Sequence, residues 1–230
     1  MTIGNGKTGR EGAETPVERR GRGRPPARTD EETRAIIFDA ARQEFAGSGF
    51  AATSMDSVAK RAGVSTKTLY RLIPNKAALF EAMVTNRMDR FVSVVRLRAC
   101  DGSNVEAALR EALLACADLM LVGEVIALQR MILAESDKFP DIAETFYKSA
   151  MQRTVATLAK WLRTQRERGL IKLEDADAAA GMLLGMFAFE PQRAVMFGHR
   201  AVPTREELEM RARACAALFL QGSAVTGRHS

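Results

Sequence analysis

The stretch from Met55 to Ile73, MDSVAKRAGVSTKTLYRLI, constrains the fold more than any other part of the chain. Met55, Val58 and Ala59 share one helical face, and Thr68, Leu69 and Leu72 share another. Between them lies Ala62-Gly63-Val64-Ser65. Gly63 supplies the left-handed backbone that ends a helix. Ser65 supplies a hydroxyl that caps the next helix by accepting from an unpaired backbone N–H. Two short helices therefore cross about one glycine, and the second begins with the small polar and basic residues Ser65, Thr66, Lys67 and Thr68. No acidic residue occurs between Ser57 and Phe80, whereas Lys60, Arg61, Lys67, Arg71 and Lys76 all do. A short helix with a polar tip, held at an angle by a partner helix in a basic field, suits the DNA major groove.

Charge placement agrees with this reading. The net charge of the 230 residues is +6. Residues 1–76 hold 14 Lys and Arg against 9 Asp and Glu, and the remainder holds 20 against 19. The basic excess sits with the helix pair, which points to a polyanion partner. With 47% hydrophobic and 27% charged residues, a normally packed core is expected. Cys100, Cys116 and Cys215 are far apart and form no CxxC, so they are expected to be reduced, buried thiols in a cytoplasmic protein. The opening MTIGNGKTGREG lacks the apolar segment of a secretory signal. The longest charge-free apolar run of the second half, residues 178–189, is too short to span a bilayer, so no membrane partner is expected.

The stretch from Thr29 to Met83 resembles the N-terminal domain of the TetR family of bacterial transcriptional regulators. The residues that carry the resemblance are Ile37, Ala40, Ala41, Phe45, Gly49-Phe50, Thr53-Ser54-Met55, Val58-Ala59, Ala62-Gly63-Val64-Ser65, Thr68-Leu69-Tyr70-Arg71, Pro74-Asn75-Lys76 and Leu79-Phe80. More loosely, AESDKFPDIAETFY and LRTQRERGLI look like the C-terminal half of TetR regulators with an AefR-like sensing domain. The resemblance implies an all-α chain: a three-helix helix-turn-helix domain over 29–76, then a larger helical ligand-binding and dimerisation domain over 77–222. Residues 1–28 read as a flexible basic arm and 223–230 as a flexible tail.

Site residues follow partly from the residues and partly from the resemblance. Ser65, Thr66 and Lys67, at the tip of the reading helix, would meet base edges. Thr53, Ser54, Thr68, Tyr70 and Lys76 are assigned to the DNA backbone, with Thr53, Ser54, Tyr70 and Lys76 assigned by resemblance to the family's phosphate contacts. Leu72 stands where the family usually has an aromatic or histidine, and it is not assigned to DNA. In the arm, Arg22 and Arg24 of Gly21-Arg22-Gly23-Arg24-Pro25 resemble an AT-hook that enters the minor groove; a solubilising tail is the other reading of the same composition.

Downstream, helix 1 is expected over Asp30–Ala46 and helix 4 over Lys76–Arg98. Ser103 is expected to cap the fifth helix, Pro140 to open a long helix, and Glu190-Pro191 to stop or kink the penultimate one. Phe91, Met120, Phe146, Met151 and Trp161 are candidates to line a pocket, and the scarcity of charge on the apolar faces favours an apolar or aromatic effector. Gly181, Gly185, Leu208, Ala212, Cys215 and Phe219 are candidates for a homodimer interface, since in the resembled family the last two helices pair across the dimer. No catalytic, metal or cofactor constellation is legible: the two histidines stand apart from any cysteine or carboxylate at ligand spacing. The expected function is a homodimeric repressor on a pseudo-palindromic double-stranded operator, released by a small-molecule effector. An activator or architectural DNA binder without a physiological ligand is the alternative.

Overall fold

The computed structural model describes residues 28–98 and 104–222, together with residues 1, 2 and 4. All regular structure among the described residues is helical. The helices are α1 (Asp30–Ala52), α2 (Met55–Ala62), α3 (Thr66–Leu72), α4 (Lys76–Arg98), α5 (Val105–Met120), α6 (Gly123–Glu135), α7 (Pro140–Phe146), α8 (Arg153–Glu167), α9 (Ala176–Met196) and α10 (Arg205–Gly222). A π-helical turn, Tyr147–Gln152, joins α7 to α8. The expected order of a helix-turn-helix unit followed by a larger helical unit is what the chain adopts.

Caps fix the helix starts. Thr29 and Glu32 form a reciprocal capping box on α1, and Ser54 and Ser57 form one on α2. Asp175 caps α9 through two backbone N–H groups. Asn104, rather than the expected Ser103, caps α5 by accepting from Ala107 N; Ser103 and Cys100 lie outside the described residues. α1 runs past Ala46 to Ala52, interrupted at Gly49, whose φ of 85° breaks the helix and turns the chain.

Pro191 does not end α9, which continues to Met196. The reason lies on α10. Proline leaves the carbonyl four residues earlier, Phe187 O, without an amide partner. Arg211 donates its Nε to that oxygen at 2.5 Å and its Nη2 to Met186 O at 2.9 Å. A side chain from the neighbouring helix thus satisfies the Phe187 carbonyl that the proline would otherwise strand, and adds a bond to Met186 O.

Two apolar cores organise the chain. The first is built by α1, α2, α3 and the start of α4, with Ile37, Phe45, Val58, Leu69, Leu79 and Phe80 fully or almost fully buried. It is not confined to residues 29–76, because Leu128, Met131 and Ile132 of α6 and Ile142 of α7 close its underside. Phe139, between α6 and α7, sets its ring 5.1 Å from that of Phe50. Such aromatic pairs contribute about 0.5–1.5 kcal/mol beyond the area they bury. The second core joins α4, α5, α8, α9 and α10 around Leu109, Leu113, Leu158, Leu162, Leu183 and Phe187. Among the described residues, α4 alone supplies long stretches to both cores: Leu79 to Val84 belong to the first, Met88 to Val95 to the second.

Candidate nucleic-acid interface and effector cavity

The turn between α2 and α3 forms as the residues dictate. Gly63 adopts φ 65° and ψ 33°, and its N–H reaches Ala59 O and Lys60 O. Ser65 caps α3 by accepting from Thr68 N at 3.0 Å, and its hydroxyl lies 2.8 Å from that of Thr68. Leu69 and Leu72 plug α3 into the first core. This leaves Ser65, Thr66, Lys67 and Tyr70 exposed along the outer side of α3. Tyr70 is 51% exposed. Thr66 donates to Asp56 at 3.1 Å, and Lys67 has no hydrogen-bond or ion-pair partner among the described residues. The reading helix is tied back to α1 by a bidentate pair, Arg71 to Asp30, at 2.6 and 2.8 Å. That contact holds the Asp30 carboxyl below, and the Arg71 guanidinium above, its ordinary pKa. A second tie, Arg61 to Glu44, joins α2 to α1 and lowers the Glu44 pKa.

Two expected backbone contacts are corrected. Thr53 is 3% exposed, and its hydroxyl donates inward to Gly49 O at 2.7 Å, so it presents no group to a phosphate. Ser54, beside it, is the exposed cap. Lys76 directs its ammonium at three carbonyls, Phe50 O, Thr53 O and Ala51 O, at 2.6, 2.8 and 3.2 Å, and lies over the Phe50 ring. An ammonium has three donors, and all three are engaged. Desolvation lowers its pKa, while Glu135 nearby acts the other way. In this structure Lys76 is therefore a clamp on the C-terminal end of α1, with its three donors turned to carbonyls rather than to the surface. Arg22 and Arg24 lie outside the described residues.

A cavity of about 1230 Å³ opens between α1, α4, α5, α6, α9 and the π-helical turn. Phe91, Met120, Phe146 and Met151 lie in its wall. Trp161 does not: it is 5% exposed and packs in the second core. The π-helical turn contributes Tyr147, Ala150 and Met151 to the wall, in keeping with the frequent siting of such turns at functional positions. The cavity is more charged than the sequence suggests, since Arg42, Arg87, Arg90, Arg130 and Arg193 line it with Asp39 and Asp118. The signal was present in one case. Arg87 falls four residues after Met83 and four before Phe91, within the apolar stripe of α4.

The last two helices divide the proposed interface residues between two faces. Ala212 and Cys215 are 0% and 4% exposed and pack within their own chain, with Leu208 and Phe219 against the same core. That seam faces inward. Gly181 and Gly185 remain exposed on α9, where an added Cβ would meet nothing within 4 Å. On α9 and α10 the apolar side chains Met182, Phe189, Met210 and Leu218 stand 57–74% exposed; Gly181, Gly185 and Phe189 also border the cavity, and Arg193 stacks on the Phe189 ring. Cys116 is fully buried and its thiol is pushed up to about 12, mainly by desolvation, which makes it inert.

Comparison with known proteins decides the family. Residues 37–83 match bacterial regulatory proteins of the tetR family, and residues 107–222 match the C-terminal domain of AefR-like transcriptional repressors. The chain belongs to the TetR family. Its TetR helix-turn-helix makes it a DNA-binding transcriptional regulator. It is similar to the transcriptional repressor ComR of Escherichia coli, 30% identical over 161 residues, covering 68% of this chain and 74% of ComR. It is also similar to the transcriptional activator FasR of Mycolicibacterium smegmatis, 36% identical over 87 residues; that match spans 35% of this chain and 40% of FasR. A solved TetR-family regulator from Mesorhizobium loti shares the fold with a TM-score of 0.73 at 28% identity, over 86% of this chain and 100% of that one. These TetR relatives are regulators of transcription rather than enzymes. Among the described residues, no helix is long and apolar enough to cross a membrane.

Proposed function

We propose that this TetR-family chain is a homodimeric repressor, released from a pseudo-palindromic operator when a largely apolar small molecule enters the cavity. The observation that carries the reading is the placement of α4. Its first turn clamps the reading domain through Lys76, and its middle lines the cavity through Met83, Arg87, Met88 and Phe91. At a rise of 1.5 Å per residue, Lys76 and Arg87 lie about 16 Å apart along one rigid element. A ligand that favours a different seat for α4 would shift the reading head with it. The shift releases DNA only to the extent that the ligand prefers the DNA-incompetent arrangement.

In this proposal Ser65, Thr66 and Lys67 reach base edges, while Ser54, Thr68 and Tyr70 contact phosphates. Two such heads, related by the two-fold axis of a dimer formed on the exposed face of α9 and α10, would enter successive major grooves about 34 Å apart. The similarity to FasR supports a second reading in which the same DNA binding activates. Affinity selection of sheared genomic DNA on the purified protein tests the proposal. A two-fold-symmetric motif is expected. Diffuse recovery that disappears at moderate salt would indicate backbone binding alone and overturn it.

A further inference from the structure

We infer that the cavity takes an amphipathic carboxylate, its acid group on Arg87 and its apolar body among Met88, Phe91, Met120 and Phe146. The inference rests on the effector reading of the cavity and refines its ligand class. Arg87 projects from the apolar stripe of α4 into the cavity wall. One guanidinium nitrogen, Nη2, donates to the backbone carbonyl of Asp118. Its Nε is buried and has no hydrogen-bond partner. No described residue forms an ion pair with it. The groups that face it do not supply a counter-ion. Arg42 of α1 and Arg90 of α4 carry the same sign. Glu124 of α6 and Asp118 of α5 act in the opposite sense, but Glu124 is joined to Arg42 at 2.6 Å, and Asp39 also pairs with Arg42. Asp118 offers Arg87 its carbonyl rather than its carboxylate.

A desolvated guanidinium without a paired anion is costly to bury. An entering carboxylate removes that cost and takes the unpartnered Nε in a charge-assisted bond, with a second guanidinium N–H completing the planar fork. An alcohol of the same chain length offers an acceptor without charge. A quaternary ammonium of that length brings a like charge. The cavity should therefore rank carboxylate over alcohol over cation, whatever the apolar body contributes.

Calorimetric titration of the full-length protein with decanoate, 1-decanol and decyltrimethylammonium, each below its aggregation threshold, tests this ranking. Decanoate is expected to bind at least tenfold more tightly than 1-decanol, with the cation weakest. Arg87→Met should bring decanoate and 1-decanol within about twofold of each other, mainly by weakening decanoate. The unliganded variant should melt no lower than the wild type, because an unpaired buried cation has been removed. Equal wild-type affinity for decanoate and 1-decanol overturns the inference, and so does a decanoate preference that survives Arg87→Met. If none of the three binds, the effector reading of the cavity falls and the inference with it. Tight decanoate binding that leaves operator affinity unchanged supports the carboxylate site and overturns only the effector role.

Discussion

Lys76 and Glu135 hold the same turn of backbone from opposite sides. The Lys76 ammonium takes the carbonyls of Phe50, Ala51 and Thr53, and the Glu135 carboxylate accepts from the amides of Phe50 and Ala51 at 3.1 and 2.9 Å. The turn is the one that Gly49 opens and that delivers the chain to α2. Glu135 is the last residue of α6, so the cavity-lining helix reaches the reading domain directly as well as through α4. A Cβ at Gly49 would come within 2.5 Å of the Glu135 carboxylate, so a side chain there would displace the clasp as well as strain the backbone.

Lys76→Met should leave those carbonyls without their donor and lower stability by about 1–3 kcal/mol, read as a fall in the melting temperature. Because Lys76 is engaged inside the protein, the slope of log affinity against log salt should stay at the wild-type value. A slope smaller in magnitude by about one would return Lys76 to the phosphate contacts.

Tyr70→Phe and Ser54→Ala should weaken binding to operator and to random duplex by similar factors, since phosphate contacts carry no sequence information. Lys67→Ala should differ, losing about 1–3 kcal/mol of discrimination at one operator position. Competition titrations with singly substituted operators measure this. Equal losses on operator and random DNA would remove Lys67 from base reading.

Gly185→Leu separates the fold of the chain from its assembly. The site is open within the chain, and leucine favours a helix over glycine by most of 1 kcal/mol. The variant subunit should therefore keep its helical circular dichroism, while sedimentation should show a shift toward monomer. An unchanged sedimentation profile would place the dimer contact elsewhere.

Arg211→Met should destabilise by about 1–3 kcal/mol, because Phe187 O, which has no amide partner at the proline, loses its donor. Pairing it with Pro191→Ala should restore part of the loss, since alanine brings back the amide that Phe187 O lacks. Thermal melts of the two single variants and the double variant give the coupling; strictly additive effects would show that Arg211 does not compensate for Pro191.

The reading domain was legible because its signals are local. Gly63, Ser65 and the apolar pairs around them act within a turn or two, and the structure places them as the spacing requires. What failed was long-range. Nothing near Pro191 announces Arg211, twenty residues later on another helix. The 4-3-4 seam of Leu208, Ala212, Cys215 and Phe219 is a real packed face, but a seam pattern does not say whether its partner is α5 of the same chain or a second subunit. Lys76 was read as a phosphate clamp from a resemblance in sequence, and only the fold brings the α1 carbonyls within its reach. Trp161 and Arg87 show the same limit from two sides. Trp161 is an aromatic residue of the core, while Arg87, a charge on an apolar stripe, marks the cavity wall.

In the proposed dimer, two reading heads act together at a fixed separation. The most direct test is the affinity of the purified protein for its selected operator before and after insertion of five base pairs between the half-sites. Half a helical turn moves one half-site to the opposite face of the duplex, so affinity should fall at least a hundredfold, toward the non-specific level. Affinity that is unchanged by the insertion would contradict a rigid two-fold dimer.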